Sequence, residues 1–156
     1  MRLILFFFAV AALFAQKYTG PVPEKVDVLY LVQADNLIPT EASEAKEQKG
    51  KKGESVYIVQ GAASTARTPL ASPIFVVKAK ALEADKLELY KLEVKNGHRE
   101  ITLRKGKGAH NPEPVRIDIK RFDDDIYRLE VSESLPNGQY SFTPAGSNDV
   151  YCFEVF

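Results

Sequence analysis

The last 22 residues, Leu135 to Phe156, restrict the fold more than any other stretch of the chain. Pro136, Asn137 and Gly138 read as a turn, after which Tyr140 and Phe142 alternate with polar residues. A break carrying Pro144, Gly146 and Asn148 follows, and a second run places Tyr151, Phe153 and Val155 at alternate positions. A period of two sends successive side chains to opposite faces of a strand. Two such runs joined by turn residues form an antiparallel pair with a buried face, the repeating unit of a β-sandwich.

The same pattern recurs upstream. Asn96-Gly97 separates two alternating runs, and both turn positions of a two-residue hairpin need positive φ, which Asn and Gly tolerate. That turn sets Lys95 opposite His98, Val94 opposite Arg99, Leu92 opposite Ile101 and Tyr90 opposite Leu103. The apolar pairs share one face, and Glu93–Glu100 and Lys91–Thr102 share the other. A further hairpin is expected from Val115, Ile117 and Ile119 across a turn at Phe122–Asp125 to Tyr127, Leu129 and Val131. Val26–Gln33, Ser55–Val59 and Pro73–Lys78 read as internal strands rich in β-branched and aromatic residues, with Leu37-Ile38 a short return. Gly61–Ser72 reads as a surface loop, and Ala79–Asp85 has room for one helical turn. The sum is an all-β fold, one antiparallel Ig-like β-sandwich of roughly eight or nine short strands. The expected core is Tyr57, Phe75, Tyr90, Leu92, Ile101, Ile117, Leu129, Tyr140, Phe142 and Phe153. Residues 40–54 (TEASEAKEQKGKKGE) have no apolar stripe and are expected to form an exposed charged loop.

The amino terminus carries a different signal. Met1-Arg2 is followed by an apolar block from Leu3 to Phe14, then Ala15. One positive charge, a short apolar block and a small exit residue form the pattern of a secretory signal peptide, 1–15. As a helix the block would reach roughly 18 Å, well short of the ~30 Å hydrocarbon core. Residues 16–24 are then a lead-in, and 25–156 a single domain. Removing Arg2 from 21 basic residues leaves 20 against 21 acidic ones, a near-neutral chain without the bulk charge that draws nucleic acid or an anionic membrane. Cys152 is the single cysteine, so an internal disulfide is excluded, and a buried structural thiol is expected.

The run LPNGQYSF, Leu135 to Phe142, resembles the L-P-x-G-x-Y-x-[FV] strand signature of bacterial Ig-like and carboxypeptidase-regulatory-like (transthyretin-like) sandwiches. With the terminal Y-x-F-x-V it looks like small exported bacterial proteins of this type. The resemblance covers about the last 25 residues and implies a fold, with no catalytic residue to carry over. It implies that the Tyr140 ring is buried and that its hydroxyl reaches a backbone group at the sandwich edge.

The chemistry-bearing residues are few. His98 sits at a hairpin tip and His110 in a Gly/Pro-rich loop, and no HxH, HExxH or Cys/His zinc spacing occurs. Neither histidine is expected to meet a carboxylate or hydroxyl pair. Asp123–Asp125, with Asp118 nearby, is the one carboxylate cluster. Three consecutive Asp point in different directions, so a turn is expected rather than a calcium loop. No G-x-S-x-G elbow or Gly-rich phosphate loop is present. The expectation is therefore no catalytic residue, no metal and no cofactor. The chain reads as an exported, non-enzymatic sandwich of the periplasm or cell surface that binds an envelope protein or ligand through its loops, without nucleic acid or a stable membrane anchor. The competing readings are a small outer-membrane β-barrel, which needs strands of about 9–11 residues, and a hydrolase with an unrecognised site.

Overall fold

The computed structural model describes residues 16–122 and 125–156, with only the backbone of Lys52. The expected signal peptide, 1–15, and Asp123–Asp124 of the aspartate turn lie outside the described residues. Thirteen strands occur among those described. In chain order they begin β1 (Tyr30–Gln33), β2 (Asn36–Pro39), β3 (Glu41–Glu44), β4 (Lys46–Lys49) and β5 (Glu54–Gln60). Next come β6 (Arg67–Thr68), β7 (Ile74–Lys78), β8 (Leu87–Lys95) and β9 (His98–Arg104). The last are β10 (Ile117–Arg121), β11 (Ile126–Val131), β12 (Gly138–Pro144) and β13 (Asp149–Val155). The fold is an all-β sandwich with more strands than the eight or nine expected.

One sheet runs β10-β11-β7-β1-β2, antiparallel throughout. The expected β10–β11 hairpin forms, with the partners Ile117↔Val131, Ile119↔Leu129 and Arg121↔Tyr127, but Val115 lies outside it and bridges Leu89 of β8 instead. The row Leu31, Phe75 and Leu129 faces the second sheet. There Phe75 meets Phe142 and Phe153 with ring centroids 4.8 and 4.7 Å apart. Each such ring contributes roughly 1.5–3 kcal/mol by leaving water. Tyr140 stacks on Phe153, and its hydroxyl donates to the Pro136 carbonyl at 2.6 Å, closing the corner that Pro136-Asn137-Gly138 turns. The opposite face of the first sheet carries Tyr30, Val76, Arg128 and Lys120 in one row. Val76 is fully buried there, and the lead-in lies against this face. Gln16 accepts from Lys120, Tyr18 packs edge-on to Phe122, and Pro21 and Val22 lie beside Tyr30 and Pro39.

The second sheet follows the path β3-β13-β12-β8-β9-β5-β4, with β6 parallel to β13. Its two ends, β3 and β4, are consecutive in the chain with only Ala45 between them. The sheet therefore curls until its ends meet. Residues 41–49 form one nearly continuous strand whose first half pairs with β13 and whose second half pairs with β5. Strand β8 crosses the other way: Leu87–Leu92 pair with β12 and Glu93–Lys95 with β9. Strands that change partners at opposite corners fold one sheet over itself.

This corrects the expected loop at 40–54. Glu41–Glu44 and Lys46–Lys49 are strands, largely exposed, and Lys51–Gly53 is a 3-10 turn. The strands form without an apolar stripe because a sheet edge supplies backbone partners that their polar side chains do not oppose. Gly61–Ser72 is likewise not a free loop. Ser64, Ala66 and Thr68 are buried, and β6 joins the sheet. The helical turn at the end of Ala79–Asp85 is a 3-10 turn, Ala84–Lys86.

Candidate functional site

The fold-over makes two seams, and they are filled differently. On the inner side of the curl, cross-strand partners align Glu41 with Cys152, Ser141 and Tyr90, and on the facing wall Val59 with Arg99 and Tyr57 with Ile101. At the seam where β3 parts from β5, Arg99 is 1% exposed and meets Glu41 at 2.6 Å. Its guanidinium also donates to the carbonyls of Gly61 and Gln60 at 2.9 and 2.6 Å. Burial opposes ionisation of Glu41, but Arg99, with Ser64 and the Thr65 amide, outweighs it and holds the carboxyl below its usual range. Ser64 completes the plug: its amide donates to Gln139 and its hydroxyl to the Cys152 carbonyl. This end of the curl is closed by polar pairing.

The other seam is splayed and has no such plug among the described residues; the segment after β9 spans it, Asn111 bonding both backbone groups of Arg104 and the Val115 amide donating to the Leu89 carbonyl. The β8–β9 hairpin forms as the turn demands, with Asn96 and Gly97 at φ 50° and 78° and the pairs Lys95↔His98, Val94↔Arg99 and Glu93↔Glu100. Ahead of Glu93, over Leu87–Leu92, β8 pairs with β12 instead of β9. The expected pairs Leu92–Ile101 and Tyr90–Leu103 are consequently not ladder partners. They line a cleft of about 180 Å³ together with Tyr57 of β5, Ser141 and Thr143 of β12 and the turn Gly146-Ser147-Asn148. Of the ten expected core residues, Phe75, Leu92, Leu129, Tyr140, Phe142 and Phe153 are buried. Tyr57, Tyr90, Ile101 and Ile117 are half-buried, and the first three of these line the cleft.

Polar groups border this apolar space. The Tyr90 hydroxyl donates to Glu88 Oε2 at 2.8 Å. Burial, then the neighbouring carboxylate, pushes the phenol up to about 12, so Tyr90 stays a neutral donor. The Ser141 and Thr143 hydroxyls are spent on the carbonyls of Phe142 and Asp149. Such an arrangement suits reversible capture of a small, mostly apolar group fixed by a few polar contacts. The sequence places Tyr57, Tyr90 and Ile101 on inward positions, but the cleft was not foreseen.

The residues singled out by type are scattered. His98 does meet a carboxylate: its Nε2 lies 2.8 Å from Glu100, which corrects the expectation that it would not. The two residues sit on the same side of β9, two positions apart, and Lys95 crosses from β8 to pair with both Glu93 and Glu100. This pairing offsets the like-charge Glu93–Glu100 contact that the register creates. His110 is exposed in the segment after β9. Asp125 pairs with Arg121 and Asp118 accepts from Ser132, and no cluster of three or more metal-ligating residues occurs among the described residues. Cys152 is buried, and loss of solvent pushes its thiol up to about 11.

No family model, no curated protein and no solved structure matches the chain.

Proposed function

We propose that the protein is an exported, non-enzymatic β-sandwich of a bacterial cell envelope that works by binding, with the cleft between β8, β9 and β5 as its recognition site. The observation that carries the reading is the splayed hairpin. Tyr57, Tyr90, Ile101 and Leu103, inward-facing by pattern, stay half-exposed around a cavity although the rings of Phe75, Tyr140, Phe142 and Phe153 between the two sheets are buried. Export is supported by Arg2, the block Leu3–Phe14 and Ala15. A water-facing wall, rather than a lipid-facing one, is supported by the outward row Lys46, Ile58, Glu100 and Glu93, three charges where a membrane barrel needs an apolar band.

The test is a ligand-observed NMR screen of the chain from Gln16 onward against small neutral aromatic and aliphatic fragments. A second sample carries Leu103→Trp to fill the cleft. Fragments are expected to bind the unmodified protein and lose binding to the filled one, whose thermal midpoint stays unchanged. Absence of binding, or binding that survives the filling, overturns the proposal.

A further inference from the structure

The carboxylate at the mouth of the cleft points to what the cleft takes. The other acidic residues of β5, β8 and β9 have cations: Glu54 meets Arg104, and Glu93 and Glu100 share Lys95. Glu88 has no cation within ion-pair distance among the described residues. Its Oε2 accepts the Tyr90 phenol, while its Oε1 has no donor among the described residues. The neighbouring lysine on β8, Lys91, is on the other face, over the Tyr140 ring, and cannot supply one. Glu88 lies on the inner face, opposite Thr143 and two residues from Tyr90, so one acceptor and a full negative charge border an apolar space.

We propose that the cleft binds a small apolar amine, its ammonium set against Glu88 and its hydrocarbon or aromatic body between Tyr57, Tyr90, Ile101 and Leu103. This rests on the cleft being the binding site. The charge selects the class. An anion is repelled by Glu88, and a neutral ligand leaves its free oxygen without a charged partner. A divalent metal needs several oxygen ligands where one carboxylate stands. An ammonium forms a charge-assisted hydrogen bond to that oxygen and is attracted to tyrosine faces. The apolar walls reduce screening and strengthen both effects. Tyr90 fixes the carboxylate through its phenol, so little orientation is lost on binding. The cavity, about 180 Å³, suits a single ring or a short branched chain rather than a drug-sized molecule.

The experiment is a heteronuclear NMR titration of the chain from Gln16 onward with phenethylamine, phenethyl alcohol and phenylacetate. Isoamylamine is the aliphatic counterpart. Phenethylamine is expected to bind about tenfold more tightly than the alcohol, with phenylacetate weakest. Shifts should centre on Tyr57, Ile101 and Leu103. Glu88→Gln should reduce the amine to the alcohol's affinity, and Glu88→Lys should reverse the order in favour of phenylacetate. Unaltered amide spectra away from the cleft establish that both variants are folded. Equal binding of amine and alcohol, or a preference that survives Glu88→Gln, overturns the amine assignment and leaves the cleft as a binding site. If none of the probes binds, both readings fall.

Discussion

Replacing Glu41 by alanine removes the carboxylate that the Arg99 guanidinium meets and leaves a cation at a position 1% exposed to solvent. Arg99 makes two bonds to Glu41, at 2.6 and 3.1 Å, and two to the Gln60 and Gly61 carbonyls. The alanine variant keeps only the carbonyl bonds. Removing one partner of a buried pair costs about 3–5 kcal/mol, because the remaining charge is left uncompensated. Glu41 is 24% exposed, so water can reach the vacated space, and the expected loss is about 3 kcal/mol. With a urea dependence of about 2 kcal/mol per M, the unfolding midpoint should fall by about 1.5 M. Far-UV circular dichroism or tyrosine fluorescence reports it, since the chain has no tryptophan. The pH dependence carries a sign. The folded-state pKa of Glu41 is lowered, so its contribution is complete above the unfolded value near 4.5 and is lost as pH falls through the folded value. The gap between the two proteins should therefore be constant at neutral pH and shrink in acid below about 4.5. A midpoint shift under about 0.3 M at neutral pH, or a gap that widens in acid, would refute the account of the plug.

Two further outcomes follow from buried groups. Cys152, fully buried with its thiol pushed up to about 11, should react with a disulfide reagent at neutral pH only as fast as the protein opens; immediate labelling of the native protein would contradict this placement. Tyr140→Phe keeps the ring stack on Phe153 but loses the 2.6 Å bond to Pro136, and should cost about 1 kcal/mol in urea unfolding; no measurable change would remove the corner bond from the stabilising contacts.

Several features were legible in the sequence because they are local. Asn96-Gly97 dictates its turn, and the alternation of Ile117 and Ile119 against Leu129 and Val131 dictates their pairing, since a slip by one residue would turn every apolar side chain to water. The corner of Pro136, Gly138 and Tyr140 was legible for the same reason. Residues 40–54 were not. Their strands depend on edges of β13 and β5 more than a hundred and about ten residues away in the chain, and side-chain pattern carries no record of which edge is vacant. Arg99 sits in the expected register opposite Val94, but its burial needs Glu41 and the end of β5.

The cleft divides the two kinds of information most clearly. Alternation alone determined that Tyr57, Tyr90, Leu92, Ile101 and Leu103 face inward. Whether they meet in a closed core or border a cavity was decided by β8 changing partners at Glu93, from β12 before it to β9 from it onward. Facing is set within a strand by the two-residue repeat of the backbone, whereas partner choice is a competition between distant edges that only the assembled sheet resolves.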